Sequence, residues 1–198
     1  MARANKVREL WAAGKPVINS WCGIPSSFSA EVMAHAGWDS LVVDMQHGMI
    51  DYQMMVTMLQ GISTTDTTPM VRVPWSDPAH IQKALDNLDA ILSVKGLDAV
   101  YIGPSDLSIS LGYAPGGDKP DEWMMTALKK VLDGCKRHKV QPGIHCGAPA
   151  YAKKMIEMGF TFVTVGGDNR FLTMGGQAAI QEMRSGTPKP GAGTSSPY

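Results

Sequence analysis

Residues suited to acid–base chemistry follow an apolar run in the segment "VVDMQHG". Asp44 and His47 lie three residues apart there, close enough to meet across a turn. A carboxylate that orients an imidazole produces a base suited to work near neutral pH. The segment therefore predicts a base at this turn, and the alternative is a histidine that is merely solvated in a loop.

A basic side chain lies in the strand-like segment "PMVRVPW". Arg72 is flanked there by valines, a setting in which its charge needs an anionic partner. Its planar fork of donors suits a carboxylate substrate. The alternative is a structural ion pair with Asp44 or Asp106.

The segment "YIGPSDLS" predicts a sharp turn directly after a buried strand. Gly103 and Pro104 turn the chain, which exposes the backbone N–H groups of Ser105 and Asp106 beside the Asp106 carboxylate. Such a turn can grip a substrate carboxylate and a hard cation together. The alternative is that Asp106 caps a short helix, "DLSISLG".

These residues lie on a repeating strand–helix pattern. We count six near-continuous apolar strands, and residues 80–96, "HIQKALDNLDAILSVKG", read as one unbroken helix. This alternation predicts an α/β protein with a parallel sheet covered by helices. Both a barrel and a doubly wound sheet place their sites at the carboxyl ends of the strands. The polar residues at those ends are Trp21, Asp44, His47, Arg72, Asp106, His145 and Asp168.

Length and composition indicate one globular domain. The 198 residues predict a single domain over residues 1–184 and a disordered tail over 185–198, which is rich in Gly, Pro and Ser. The 18 basic and 18 acidic residues balance, so no nucleic-acid or membrane partner is expected. Three cysteines without CxxC spacing favour reduced thiols and a cytoplasmic location.

Several segments together resemble the HpcH/HpaI aldolase family. They are "SWCGIPSSFSAEVMAHAGWDSLVVDMQHG", "MVRVPW", "LDAVYIGPSDLSISLG" and "GFTFVTVGGD". The resemblance implies a metal-dependent class II aldolase of 2-oxo acids, folded as a (β/α)8 TIM barrel. It also implies a homo-oligomer, a trimer or a hexamer, since subunits of the family typically exchange their last helix.

The same resemblance implies a base and a partner for it. His47 resembles the catalytic base, which acts through a metal-bound water. Asp86 resembles the carboxylate that makes this histidine more basic, and in the family it comes from a neighbouring subunit. The cofactor implied is Mg²⁺, Mn²⁺ or Co²⁺, because the ligands are hard oxygens.

Substrate-binding roles follow from the resemblance as well. Arg72 is similar to the arginine that binds the 2-oxo group and stabilises the enolate of pyruvate. Asp106 resembles one of two acidic metal ligands, and the Ser105 and Asp106 amides resemble the grip on the pyruvate carboxylate. Trp21 and Asp44 would line the site.

The sequence departs from the family pattern after Asp86. Two similar "ALD" triplets of the family are joined here, as if the segment between them had been removed. The glutamate that is the other acidic ligand lies in the missing part. We therefore predict an incomplete (β/α) barrel of about six units instead of eight, since a full barrel usually needs roughly 250 residues.

The resulting hypothesis is a class II aldolase, a lyase that cleaves or forms 4-hydroxy-2-oxo acids from pyruvate and an aldehyde. The alternative is a catalytically impaired oligomeric remnant of that family, because one acidic ligand is absent. A lyase that acts on a coenzyme A thioester is a third hypothesis, disfavoured because no basic cluster is present for the nucleotide phosphates.

Overall fold

Six parallel strands and the helices between them make up the protein. A computed structural model describes residues 5–73 and 85–185. The strands are β1 (Val17–Cys22), β2 (Ser40–Asp44), β3 (Thr68–Arg72), β4 (Ala99–Ile102), β5 (Gln141–Cys146) and β6 (Phe162–Gly167). The helices are α1 (Lys6–Ala12), α2 (Ser27–His35), α3 (Tyr52–Ile62), α4 (Leu88–Leu92), α5 (Pro104–Ser110), α6 (Glu122–His138), α7 (Pro149–Met158) and α8 (Asp168–Arg184).

The sheet is a curled half-barrel that is open on one side. Its strand order is β3-β2-β1-β6-β5-β4, with every pair parallel. The first and last strands lie side by side at the centre, as they do where a (β/α) barrel closes. Within residues 5–73 and 85–185, β3 and β4 are the two edges. The predicted incomplete barrel of about six units is confirmed.

Short polar residues begin the first three helices. The side chains of Asn5, Ser26 and Asp51 each accept a backbone N–H three residues further on, at 3.1, 3.2 and 2.8 Å. These caps satisfy N–H groups that the first helical turn leaves without partners. Each cap fixes the residue at which its helix begins.

The core lies between the sheet and the helices on its outer side. The largest buried cluster joins Ile144 and Val163 of the sheet to Leu128 and Met155 of two helices. A second cluster packs Leu41 and other residues of β1 and β2 against α2 and α3. At the amino end of the strands, α1 is anchored by the Trp11 indole N–H, which donates to the Thr161 carbonyl at 3.1 Å.

The predicted unbroken helix over residues 80–96 is wrong in its second half. Residues 74–84 lie outside the described residues, and the helical backbone that includes Leu85 and Asp86 is interrupted at Asn87. Asn87 has φ −106° and ψ 24°, and α4 begins at Leu88. The interruption falls one residue after the predicted junction. It lets Leu88 and Leu92 pack against Val131 and other residues of α6.

The last helix, α8, lies largely in solvent. It starts at Asp168, directly after β6, and residues 169–184 are all exposed. The predicted tail lies outside the described residues except for Ser185. No helix within the described ranges is both long and apolar enough to cross a bilayer.

Candidate active site

The carboxyl ends of the strands bring Asp44 and Arg72 together. The two residues are in register on β2 and β3. Arg72 Nε donates to Asp44 Oδ1 at 2.8 Å, and its Nη2 donates to Asp44 Oδ2. Asp44 is 7% exposed, so its side of the pair lies mostly out of water. The ion pair given above as the structural alternative for Arg72 is therefore present.

The Asp44 carboxylate also shapes the turn that follows β2. Its Oδ1 accepts the backbone N–H groups of Gln46 at 3.0 Å and His47 at 3.2 Å. Burial by itself raises the pKa of Asp44. The hydrogen bonds from Arg72 and from these backbone amides lower it by a larger amount. The net pKa is below the ordinary value, so Asp44 is a carboxylate at neutral pH.

The expected contact between Asp44 and the His47 imidazole is replaced by this backbone contact. No hydrogen bond joins the ring to the carboxylate in the described part of the chain, and His47 is exposed at the mouth of the half-barrel. The turn is closed tightly at the residue that follows His47. The Gly48 N–H donates to the Asp44 carbonyl at 3.0 Å, and a Cβ on Gly48 would lie 2.4 Å from that oxygen.

Trp21 lies between Arg72 and a histidine. The Arg72 Cζ is 4.3 Å from the centroid of the Trp21 ring, a cation–π contact. The indole N–H donates to His145 Nδ1 at 3.2 Å. The Tyr101 ring packs edge-on against the same indole, with centroids 6.1 Å apart. The sequence places His145 among the polar residues at the strand ends but gives no sign of this contact.

Asp106 lies on the opposite edge of the half-barrel from Arg72. It is in the first turn of α5, whose N-cap is Gly103, so Asp106 does not cap that helix. Its carboxylate is exposed and folds back over the cap, where a Cβ on Gly103 would be 2.6 Å from Oδ2. In the first helical hydrogen bond, the Leu107 N–H donates to the Gly103 carbonyl at 2.9 Å. The Ser105 and Asp106 N–H groups come before it in the chain and take no part in that bond.

Two other acidic residues do not join the site. Asp168 is 4% exposed and accepts the backbone N–H groups of Gly23, Ile24 and Asn169 at 2.8–3.0 Å, so it fixes the loop after β1. Asp86 is exposed just before the break at Asn87. The contacts of the described residues do not connect Asp86 to His47 of the same chain.

The described residues do not provide a complete protein site for a metal ion. No group of three His, Cys, Asp or Glu side chains is close enough to hold one in residues 5–73 and 85–185. Asp44 already has both oxygens engaged with Arg72 and backbone amides. Asp106 alone is one hard-oxygen ligand, and a divalent cation needs several.

Comparison with known proteins identifies what the chain is similar to. The sequence model of the HpcH/HpaI aldolase/citrate lyase family matches residues 81–173. A hydroxypyruvate/pyruvate aldolase of Rhizorhabdus wittichii is 27% identical, over 91% of this chain and 99% of the relative. A 4-hydroxy-2-oxo-heptane-1,7-dioate aldolase of Salmonella typhi is 27% identical, over 98% of this chain and 99% of the relative.

Solved structures share the fold. An HpcH/HpaI aldolase/citrate lyase family protein from Burkholderia cenocepacia has a TM-score of 0.81 at 23% identity, covering 91% of this chain and 100% of the other. An HpcH/HpaI aldolase from Desulfitobacterium hafniense has a TM-score of 0.80 at 19% identity, covering 93% and 98%. The resemblance predicted from the sequence is confirmed.

The alignment with the Salmonella enzyme also contains many positions that this chain lacks. The comparison with the Salmonella enzyme runs over 265 positions, whereas the chain has 198 residues. At least 67 positions of that alignment therefore face no residue here. The matched family segment begins at residue 81, close to the predicted junction after Asp86.

Proposed function

We propose, from this similarity to the HpcH/HpaI aldolases, that the protein is an aldehyde-lyase that cleaves or forms 4-hydroxy-2-oxo acids through the enolate of pyruvate. The observation that carries the proposal is the Asp44–Arg72–Trp21 cluster at the carboxyl ends of three adjacent strands. The cluster does not specify which aldehyde takes part in the reaction.

Arg72 supplies the positive charge for the reaction. Asp44 occupies Nε and one N–H of Nη2, and Trp21 covers one face of the guanidinium. A guanidinium has five N–H donors, so others remain for a substrate oxygen. A donor held in place by two neighbours stabilises an enolate oxygen without needing to reorganise as the charge develops.

His47 is the proposed base that removes a proton from the methyl group of pyruvate. The turn that presents it is fixed by Asp44, through the backbone N–H groups of Gln46 and His47. His47 is exposed on that turn, and a substrate bound to Arg72 is proposed to reach its ring. The Ser105 and Asp106 amides are proposed to hold the pyruvate carboxylate, as the resemblance implies.

The divalent cation stays a proposal carried by the resemblance alone. Mg²⁺, Mn²⁺ or Co²⁺ would act as a Lewis acid toward the oxo acid. Asp106 is the one predicted ligand among the described residues, and a single carboxylate does not fit a resident ion.

The incomplete ligand set favours a second candidate, a catalytically impaired remnant that keeps the scaffold. Calorimetric titration with Mn²⁺ separates the two candidates. Micromolar binding that is lost in Asp106→Ala would count against the remnant, and Asp89→Ala, a surface carboxylate paired with Arg137, is the matched control.

We further propose a homo-oligomer, a trimer or a hexamer, in which Asp86 approaches a neighbour's His47. Apolar side chains exposed along α8 support the oligomer, among them Leu172 at 70% and Met183 at 85% exposed. Ile18 on β1 is 44% exposed, so the sheet also has uncovered apolar surface. These surfaces are suited to contact between subunits.

We also propose that residues 1–184 act as one domain in the cytoplasm. Cys22, Cys135 and Cys146 support the location, because all three are free and buried. Burial raises the pKa of Cys22 to about 12 and that of Cys135 to about 11. These thiols are therefore inert core residues, as a reducing compartment permits.

Incubation with pyruvate and a panel of aldehydes tests the activity. NMR detection of a 4-hydroxy-2-oxo acid that is absent with Arg72→Ala would support the proposal. A folded sample that forms no such product with any aldehyde would favour the remnant.

A further inference from the structure

A histidine that the proposed chemistry does not use contacts the site through Trp21. His145 is the fifth residue of β5 and half-buried, and its Nδ1 lies 3.2 Å from the Trp21 indole nitrogen. An indole N–H can only donate, so the ring nitrogen that faces it has to be an acceptor. The contact therefore assigns a neutral imidazole with its proton on Nε2.

The ring face of the same indole contacts the Arg72 guanidinium. The Arg72 Cζ is 4.3 Å from the ring centroid, so rotation of the indole would remove the cation–π contact. Trp21 is half-buried, and the Tyr101 ring packs edge-on against it. The hydrogen bond to His145 is a polar contact that restrains the rotation of the indole, beside a side-chain hydrogen bond between Trp21 and Tyr101.

We propose that His145 is a positioning residue for the oxo-acid site: its neutral imidazole accepts the Trp21 indole N–H and so keeps the indole face against Arg72. The inference rests on the proposed function for its substrate, but the contact itself can be measured without turnover. This proposal gives a role to His145, which is not one of the residues predicted as the base, the arginine or the acidic ligand.

Charged groups from three elements face His145. Burial lowers its pKa, Asp118 of the loop after α5 raises it, and Arg72 and Arg170 lower it, with a net pKa below the ordinary value. Asp118 is held in place by the Gly147 N–H, which donates to it at 2.8 Å. A protonated ring would carry N–H donors on both nitrogens, so the contact with the indole would be lost in acid.

The test uses the full chain with its tryptophans labelled with ¹⁵N. The sequence has five tryptophans, so the indole region of the NMR spectrum contains five resonances, and Trp21→Phe identifies one of them. His145→Leu removes the acceptor, and His145→Gln keeps an acceptor that does not titrate. His35→Leu, at an exposed helix end, is the control.

We expect the Trp21 resonance to move upfield in His145→Leu, and to titrate with pH in the wild type but not in His145→Gln. A Trp21 resonance that is the same in His145→Leu as in the wild type would overturn the inference. Melting temperatures of the variants are measured in parallel, and the Gln variant keeps the test decisive if the Leu variant does not fold.

Pyruvate binding, followed by saturation-transfer NMR, tests the link to Arg72. The dissociation constant should rise about twofold to fivefold in His145→Leu, the range that one accessible cation–π contact corresponds to. His145→Gln should restore most of the loss. An unchanged constant beside a shifted resonance would overturn the positioning role. Absence of pyruvate binding by the wild type would overturn the proposed function, whereas the resonance would still report the contact.

Discussion

Asp44 and Arg72 face each other in register on β2 and β3, and the arginine fork spans both carboxylate oxygens. The carboxylate is buried, whereas the arginine side chain is 29% exposed. The pair therefore holds a positive charge at a fixed place at the mouth of the half-barrel. It also connects the second and third strands near the open side of the sheet.

Arg72→Lys should weaken both stability and catalysis. A lysine keeps the charge but cannot donate two parallel hydrogen bonds to Asp44 or stack as a planar fork. We expect the free energy of unfolding to fall by about 1–3 kcal/mol, the cost of leaving a charged hydrogen-bonding partner unsatisfied. Urea denaturation measures this, and Arg8→Lys, in an exposed pair with Asp98, should change it by less than about 0.5 kcal/mol.

The Asp44 pair should make stability depend on pH in acid. The pKa of Asp44 is lowered in the folded state, so its contribution is present above the unfolded pKa, near about 3.9, and lost as pH falls through the folded value. The difference in unfolding free energy between wild type and Asp44→Asn should stay constant above about pH 5 and shrink below about pH 4. A difference that grows on acidification would contradict the assignment.

Gly48→Ala should disturb the turn that presents His47. The added Cβ would lie 2.4 Å from the Asp44 backbone oxygen, which cannot move without breaking the turn. We expect a loss of more than about 1 kcal/mol in unfolding free energy, together with a loss of activity. Gly117→Ala is the matched control, because a Cβ there meets nothing within 4 Å. Equal effects of the two substitutions would argue against a tight turn.

Asp86→Asn should slow catalysis while leaving the fold intact. Asp86 is exposed, so its charge contributes little to the stability of the single subunit. If it serves a neighbour's His47, the rate should fall, because the base loses the carboxylate that the resemblance places beside it. A large drop in melting temperature would instead make Asp86 structural.

The sequence predicts local features of this fold better than contacts across it. Six strands and the polar strand ends follow from short-range patterns. The contact between Trp21 and His145 joins residues 124 positions apart, and no local pattern encodes it. It becomes visible only when β1, β6 and β5 are placed side by side.

The break at Asn87 shows a second limit of sequence patterns. "ALDNLDAIL" has helical spacing throughout, so the pattern predicts one helix. In the fold, Leu88 and Leu92 turn toward Val131 and Cys135 of α6, and the backbone is interrupted to allow it. Asparagine favours helix ends over helix interiors, so the break occurs where the local cost is small.

Arg72 and His47 are proposed to act together in forming the pyruvate enolate, and exchange of the pyruvate methyl protons in D₂O tests this most directly. NMR would follow the exchange with Mn²⁺ or Mg²⁺ and again after chelation, with His47→Ala and the control His138→Ala, which lies beside Asp89. We predict exchange by the wild type and by His138→Ala that is lost in His47→Ala. No exchange from a folded wild-type sample, or exchange that survives His47→Ala, would contradict the account.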